Sequence, residues 1–352
     1  MTKITRCRLM AKGFALAVVV TLAILVMSAR VTFAADGGVE LRKIFDKATI
    51  GTKIAFLPMV LGEQLMDSWE YVIRTECKRL GWEYSVKDPA WNTTALVQAF
   101  EGAIREKPDV IIVQNPNVQL LVKQIERAMK EGIFVIQLSM MSNTLSDGYV
   151  GGDWIDQGHV TGKEMVKDCG SKSGKSGKII FLQGEITAAQ NVYMYDSMKK
   201  EFAKDKHIKV VSDQATNWDA TKAYDITAAV LQQHPDVCGI FAPYDLMGLG
   251  GAQAVKKAGL QGKIIFYSNA GGYKLGCDGV RNGLIDKLLV WDSANQGREV
   301  MVMAKDLMML KAKGVKPGTY NFASFSTYFW ITKDNIDQYQ CFEKPTKKFY
   351  VD

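Results

Sequence analysis

The sequence HPDVCGIFAPYDLMGLGGAQAVKKAG, residues 234–259, decides the fold of this chain. Residues 237–241 form a short apolar run between two prolines, which predicts a buried parallel strand. Asp245 is the expected N-cap of the following helix, because its carboxylate can accept from free N–H groups of the first turn. Apolar residues then recur at helical spacing up to Gly259, the expected end of the helix. This strand and helix are half of a βαβ unit, and open α/β sheets bind ligands at the turn after such a strand.

The same strand and helix alternation runs through most of the chain. Its apolar strand candidates lie at residues 53–57, 82–86, 109–113, 133–136, 178–182, 208–211, 237–241, 263–267 and 287–291. Amphipathic segments of helical period separate them and commonly end at glycine. Repeated βα units predict an α/β protein with doubly wound parallel sheets. Near residues 147–153 the chain is expected to cross into a second lobe.

Particular motifs resemble those of ribose-type periplasmic binding proteins. The motif HPDV, the sequence D-x-M-x-x-G from Asp245 and the tail TKDN from Thr332 carry the resemblance, which extends from Lys53 to Tyr339. It implies two doubly wound parallel-sheet lobes joined by a three-segment hinge, with crossovers near Asp153, Trp291 and Ser326. The implied N-terminal lobe comprises 51–153 plus 292–325, and the C-terminal lobe comprises 154–291 plus 326–352.

The N-terminus has the organisation of a secretory signal. Four basic residues between positions 3 and 12 precede an apolar run over residues 14–27, and small residues lead up to Asp36. A membrane anchor is the alternative, but this run is shorter than the roughly 20 residues needed to span a bilayer. We therefore expect residues 1–35 to be a cleaved signal peptide, residues 36–50 a lead segment, and the mature protein to be periplasmic.

Charge and cysteine content exclude several classes of protein. Without residues 1–35 the formal charge falls from +7 to +2, so no basic surface argues for nucleic-acid binding. Five cysteines remain, namely Cys77, Cys169, Cys238, Cys277 and Cys341, an odd number whose spacings fit no metal motif. Their pairing stays open, and Cys238 is expected to be a buried thiol. We predict no cofactor and no metal.

No segment of the sequence has the residue spacing and the structural context that a known catalytic motif requires. Residues 170–176 resemble a phosphate loop, but the glycines are too close together and the segment precedes its strand. The three histidines form no close ligand pair, and no G-x-S-x-G motif occurs. The sequence therefore predicts no catalytic residues and no enzyme.

Aligning the turns that follow each strand carries ligand positions over from the resemblance. These positions are Glu63, Met66, Ser139, Met140, Asn191, Trp218, Tyr244, Ser268, Asn269 and Trp291, with Leu65 also on the first turn. The family usually has an Asn and two aromatic residues on the first turn and an Asp-Arg pair after the fourth strand; this chain lacks them. Trp91 and Asn92, after the second strand, are further candidates for the rim.

Two interpretations of the ligand follow from that departure. Aromatic side chains can stack on the apolar face of a sugar while Glu63, Asn191 and Asn269 supply hydrogen bonds. The alternative is a less hydroxylated ligand: an aromatic molecule, a cyclic polyol derivative, or a cation held by aromatic rings and Glu63. The sequence alone leaves both open.

The resemblance implies a binding function. The protein is expected to be a monomeric substrate-binding component of an ABC importer that captures a small sugar by hinge closure and delivers it to a permease in the inner membrane. A ligand-presenting component of a chemoreceptor or sensor stays open as an alternative. A transcription regulator on the same scaffold would need an N-terminal helix-turn-helix, where this chain has the export signal instead.

Overall fold

A computed structural model describes residues 37–342, which divide into two units at Ile50. The described part of the first unit is a helix over residues 37–49. The predicted signal peptide lies outside the described residues. No helix of residues 37–342 is both long and apolar enough to cross a bilayer.

The second unit contains two six-stranded sheets. The first sheet has the strand order β11-β5-β4-β3-β1-β2 and is parallel throughout. Its strands are β1 (Lys53–Leu57), β2 (Glu83–Val86), β3 (Val110–Val113), β4 (Phe134–Leu138), β5 (Gly148–Gly152) and β11 (Phe322–Ser326). Its helices are α1 (Gln64–Leu80), α2 (Thr93–Glu106), α3 (Val122–Lys130) and α9 (Ser293–Ala312).

The second sheet repeats this arrangement in the order β12-β10-β9-β8-β6-β7. Only β12 runs antiparallel to its neighbour among the described strands. Its strands are β6 (Lys178–Gln183), β7 (Lys209–Ala215), β8 (Gly239–Ala242), β9 (Ile265–Ala270), β10 (Lys287–Trp291) and β12 (Tyr328–Ile331). Its helices are α4 (Trp154–Cys169), a π-helical turn (Gln190–Met194) continuing into α5 (Tyr195–Phe202), α6 (Ala220–Gln233), α7 (Asp245–Lys257) and α8 (Lys274–Arg281), and a 3-10 turn spans Ile336–Gln338.

Helices cover both faces of each sheet, so the central strands are buried along their whole length. Every residue of β3 and β4 is buried, and so is every residue of β8. Continuous burial of this kind is typical of parallel strands between two helical layers. The two-lobe α/β fold class is therefore confirmed.

The chain passes from one sheet to the other three times. The crossings follow Gly152 at the end of β5, Trp291 at the end of β10 and Ser326 at the end of β11. The crossings place the carboxyl ends of both sheets next to the same connecting segments. The residue boundaries of the lobes stay a prediction.

The predicted helix cap at Asp245 is wrong by one residue. Tyr244 is the N-cap of α7 and makes no capping hydrogen bond with its side chain, and Asp245 is the first helical residue. The carboxylate Oδ1 of Asp245 accepts from the backbone N–H of Leu246 at 2.9 Å. The other oxygen, Oδ2, is buried and has no hydrogen-bond partner within residues 37–342. The fold thus encloses a carboxyl group that is only half satisfied.

Two disulfides cross-link the second lobe. Cys169 at the end of α4 is bonded to Cys238, and Cys277 in α8 is bonded to Cys341. The expectation of a free thiol at Cys238 is therefore wrong, although the residue is buried as predicted. Cys77 is the free cysteine of the described chain and is buried in α1.

Candidate functional site

A cleft lies between the lobes at the carboxyl ends of their strands. Its outer part has a volume of about 620 Å³ and is lined by Met59, Glu63, Trp91, Thr93, Pro116, Glu185, Asn217, Trp218 and Asp219. Its inner part, of about 30 Å³, is lined by Met59, Glu63, Leu65, Met66, Trp91, Gln114, Ser139, Met140, Gln190, Trp218, Tyr244 and Trp291. Both lobes contribute to each part. The inner part holds only one or two water molecules, so a ligand must enter through the outer part or separate the lobes.

The structure brings seven of the ten predicted ligand residues to the inner part. They are Glu63, Met66, Ser139, Met140, Trp218, Tyr244 and Trp291. Each follows the carboxyl end of a strand or begins the next helix, which is why a turn-by-turn alignment could locate it. Their role in ligand binding stays a prediction.

The other three predicted residues make contacts within the second lobe. Asn191 is buried, and its amide nitrogen donates to the backbone oxygen of Glu185. Ser268 donates to the backbone oxygen of Ala242 at 3.1 Å. Asn269 donates from Nδ2 to Oε1 of Gln157 at 3.1 Å. These three side chains do not line either part of the cleft.

Some lining residues were not predicted as ligand positions. Met59 and Gln114 follow β1 and β3, and they are joined by a hydrogen bond from the Met59 N–H to the Gln114 side-chain oxygen at 3.2 Å. Gln190 lines the inner part beside Asn191, and its side-chain nitrogen donates to the Pro243 backbone oxygen at 2.6 Å. Met59 and Gln114 could have been predicted as lining residues from their positions just after a strand. At Gln190 the alignment was one residue out of register.

Two tryptophans occupy equivalent turns in the two lobes. The turn after β2 contains Ala90 and Trp91, and the turn after β7 contains Asn217 and Trp218; β2 and β7 hold the same position in their sheets. All four residues have left-handed backbone conformations, with φ between 50° and 66°. Such values are uncommon for residues other than glycine and cost about 1–2 kcal/mol each.

The residue after each tryptophan caps the next helix. Asn92 Oδ1 accepts from the Ala95 N–H at 2.9 Å, and Asp219 Oδ1 accepts from the Lys222 N–H at 2.8 Å. The caps fix the start of α2 and α6 immediately after the strained residues. Strained non-glycine residues concentrate at functional sites, and here the strain places one indole from each lobe in the same cleft.

Two indoles of the cleft, the partly buried Trp218 and the buried Trp291, are held by close neighbours. The Trp218 ring packs over Gly184, where an added Cβ would lie 2.4 Å from it, and meets the Tyr244 ring edge-on at 6.2 Å. Trp291 is 2% exposed and meets the Trp154 ring edge-on at 5.7 Å. The indole N–H groups of Trp218 and Trp291 have no partner among the described residues. Both are therefore donors that a ligand oxygen could satisfy.

Glu63 is the acidic group shared by both parts of the cleft. It precedes α1 in an extended conformation and makes no capping bond with its side chain, so the carboxylate stays available to the cleft. Trp91 Nε1 donates to its Oε1 at 3.1 Å. Burial raises the pKa of Glu63; the Trp91 hydrogen bond opposes this, and the charge of Asp67 adds to it. The pKa of Tyr244, across the cleft, is raised by its own burial and further by the charges of Asp245 and Glu63.

Hydrogen bonds join the lobes at two places beside the cleft. The Val118 N–H donates to the Thr187 backbone oxygen at 3.0 Å, and the Asn117 amide donates to the Thr187 hydroxyl at 2.6 Å. Elsewhere, the hydroxyls of Ser68 and Tyr273 are 2.8 Å apart. The lobes are thus in contact around the cleft, in a closed arrangement.

The comparisons with known proteins agree with this architecture. Residues 54–313 match the family model for the periplasmic binding protein domain, and the chain belongs to this family. The resemblance to ribose-type periplasmic binding proteins is confirmed at this level. The family is one of binding proteins.

Individual relatives match over part of their length. The D-allose-binding periplasmic protein of Escherichia coli K12 is 29% identical over 159 residues, which are 43% of this chain and 50% of that protein. A D-ribose/D-allose-binding protein of Pseudomonas aeruginosa is 24% identical over 188 residues, 52% of this chain and 59% of that protein. The chain thus spans between half and two thirds of the length of these relatives.

Solved structures match over most of their length. An ABC transporter solute-binding protein from Actinobacillus succinogenes, with bound D-allose, superposes with a TM-score of 0.69 at 24% identity, covering 82% of this chain and 100% of that chain. A Caulobacter myo-inositol binding protein superposes with a TM-score of 0.71 at 17% identity, covering 82% and 95%. At these identities the likeness supports the fold.

Proposed function

We propose that this protein is the exported substrate-binding component of an ABC importer and that it captures a small sugar or sugar-like solute in the cleft. The observation that carries the proposal is the pair of equivalent turns that place Trp91 and Trp218, one from each lobe, in one cleft. Indole faces stack on the apolar face of a sugar ring, and stacking from two lobes requires both lobes to be in place. The names of the relatives, allose- and ribose-binding proteins, support a sugar.

Capture proceeds by closure of the lobes about the three connecting segments. The closed form gains the Asn117–Thr187 and Val118–Thr187 hydrogen bonds in addition to contacts with the ligand. A ligand that touches residues of both lobes binds the closed form better than the open one, so it shifts the population toward closure. A permease in the inner membrane then distinguishes the two shapes.

The same proposal includes the oligomeric state and the location of the protein, and it leaves one second candidate function. The protein acts as a monomer in the periplasm and carries out no reaction on its ligand. Presentation of the same ligand to a chemoreceptor or sensor is the second candidate, because a closed lobe pair serves either partner. Deleting the gene and measuring uptake and chemotaxis separately distinguishes the two.

A thermal-unfolding screen tests the proposal. The purified protein is unfolded and refolded to remove carried-over ligand, then heated with pentoses, hexoses, cyclic polyols and their amino derivatives. A ligand at 100 times its Kd adds about 2.7 kcal/mol to the free energy of unfolding, a rise of several degrees in Tm. Trp91→Ala and Trp218→Ala should each abolish the rise. If no sugar or polyol raises Tm, the proposal is wrong.

A further inference from the structure

The charged side chains that line the cleft are all acidic. Glu63, Glu185 and Asp219 line it, and among the described residues no Lys, Arg or His does so. Opposite charges attract and like charges repel strongly where water is partly excluded. An anionic ligand would therefore add a further negative charge to the cleft, where no cationic side chain of the lining residues could pair with it. A cationic ligand would find three carboxylates.

Two of these carboxylates already accept hydrogen bonds from other groups of the protein. Asp219 caps α6 through the Lys222 N–H. Glu185 accepts from the Thr187 hydroxyl at 2.7 Å and from the Asn117 amide at 3.3 Å. The hydrogen bonds of Asp219 and Glu185 stabilise the conformation of the rim of the cleft.

Glu63 is different because its partner is another cleft residue. Its Oε1 accepts from the Trp91 indole N–H, and no Lys or Arg of the described chain forms an ion pair with it. It lies in both parts of the cleft and is half-buried. Burial without a cationic partner is unfavourable for a carboxylate, and a positively charged ligand group would remove that cost.

Aromatic rings surround this carboxylate. Trp91, Trp218, Tyr244 and Trp291 all line the inner part with Glu63. Indole and phenol faces attract cations through their quadrupoles, by about 0.5–2 kcal/mol each depending on desolvation. A carboxylate among aromatic rings is the combination that recognises an ammonium group. Trp291, whose buried N–H has no partner, can in addition donate to a ligand oxygen.

We propose that the cleft selects a basic sugar-like solute, a sugar or cyclic polyol carrying a protonated amine, and that Glu63 pairs with its ammonium group. The inference rests on the proposed function, since it names the class of solute that the same cleft takes. The rings of Trp91 and Trp218 contact the apolar face of the solute, and the Trp291 N–H donates to one of its oxygens. Replacing the amine by a carboxylate converts the attraction to Glu63 into repulsion.

Isothermal titration with three matched sets of solutes tests the inference. The sets are D-glucosamine, D-glucose and D-glucuronate; D-galactosamine, D-galactose and D-galacturonate; and an inosamine with its parent inositol. The amine of at least one set should bind ten times or more tightly than its neutral partner, and the acids should not bind. The amine affinity should fall between 0.05 and 1 M salt, while any neutral binding stays constant.

Glu63→Gln supplies the residue-level test. It should reduce amine affinity at least tenfold and abolish the preference of the protein for the amine over its neutral partner. Glu83→Gln is the matched control, because Glu83 is exposed at the amino end of β2, away from the cleft, and forms an exposed ion pair with Lys53. It should bind the amine as the wild type does. The salt dependence of the wild type keeps the inference testable if Glu63→Gln fails to fold.

The outcomes separate the two proposals. If neutral sugars bind as tightly as their amines, the inference is wrong and the proposed function stands. If amines bind preferentially but Glu63→Gln leaves that preference intact, the assignment to Glu63 is wrong. If no member of any set binds, this inference is wrong, and the proposed function fails only if the thermal screen of pentoses, hexoses and polyols also gives no rise in Tm.

Discussion

Replacing Asp245 by Asn should change the pH dependence of folding stability. Asp245 is 2% exposed, and burial raises its pKa from 3.8 to about 7, against opposing hydrogen bonds from backbone N–H groups. The folded state therefore holds the proton more tightly than the unfolded state. Between these two pKa values the folded protein binds more protons, so its free energy of unfolding falls as pH rises.

The magnitude follows from the two pKa values. Complete ionisation of Asp245 costs the folded state about 4 kcal/mol, at roughly 1.4 kcal/mol per pH unit between 3.8 and about 7. Part of that cost is already present at pH 5. The free energy of unfolding of wild type minus that of Asp245→Asn should therefore fall by about 2–3 kcal/mol between pH 5 and pH 8.

Urea unfolding of both proteins at the two pH values measures this difference. Asp219→Asn is the matched control, because it removes a carboxylate from the start of another helix, where Asn caps as well as Asp. Asp245→Asn should be the more stable protein at pH 8, since its amide carries no charge to bury. An equal wild-type-to-variant difference at pH 5 and pH 8 would refute the reasoning.

Three further perturbations test other parts of the structure. Gly184→Ala should weaken ligand binding at least tenfold, because the new methyl group displaces the Trp218 ring, while the protein stays folded. Titration calorimetry measures the affinity, and an unchanged affinity would contradict the prediction. Asn117→Ala should weaken the free energy of ligand binding by about 1 kcal/mol, because an interlobe hydrogen bond is lost. Stopped-flow should show faster ligand release, and an unaltered release rate would argue against the prediction. Cys277→Ser should lower the free energy of unfolding by about 4 kcal/mol, given the 64-residue separation from Cys341. Chemical denaturation measures it, and a variant as stable as the oxidised wild type would contradict the prediction; the reduced wild type, which also loses the Cys169–Cys238 bond, should be less stable than the variant.

Strong apolar periodicity made most of the fold predictable. Strands such as β3 and β4 are buried throughout because helices cover both their faces, and their mostly apolar residues made their positions predictable from the sequence. The edge strands β11 and β12 were not predicted. Their exposed aromatic residues, including Phe325 and Phe329, give no buried pattern. Both are strands because they pair with β5 and β10, partners that lie far away along the chain.

The candidate ligand residues were predictable only where a strand end places a side chain at the cleft. Trp291 is the last residue of β10, so the alignment of turns was sufficient. Trp91 was only a rim candidate, because a left-handed conformation at two successive non-glycine residues has no signature in the sequence. The contact of Asn269 with Gln157, 112 residues away, was equally inaccessible, since a long-range bond between two amides depends on how helix α4 packs against the sheet.

The paired tryptophan turns have a consequence for engineering. Each turn carries its own backbone conformation and its own helix cap within three residues, 90–92 in one lobe and 217–219 in the other. The backbone at the indole is consequently set within a tripeptide, while the Trp218 ring is also held by Gly184 and Tyr244. Transplanting such a tripeptide to the corresponding turn of another two-lobed receptor would give that receptor an aromatic wall, provided that a glycine equivalent to Gly184 leaves room for the ring.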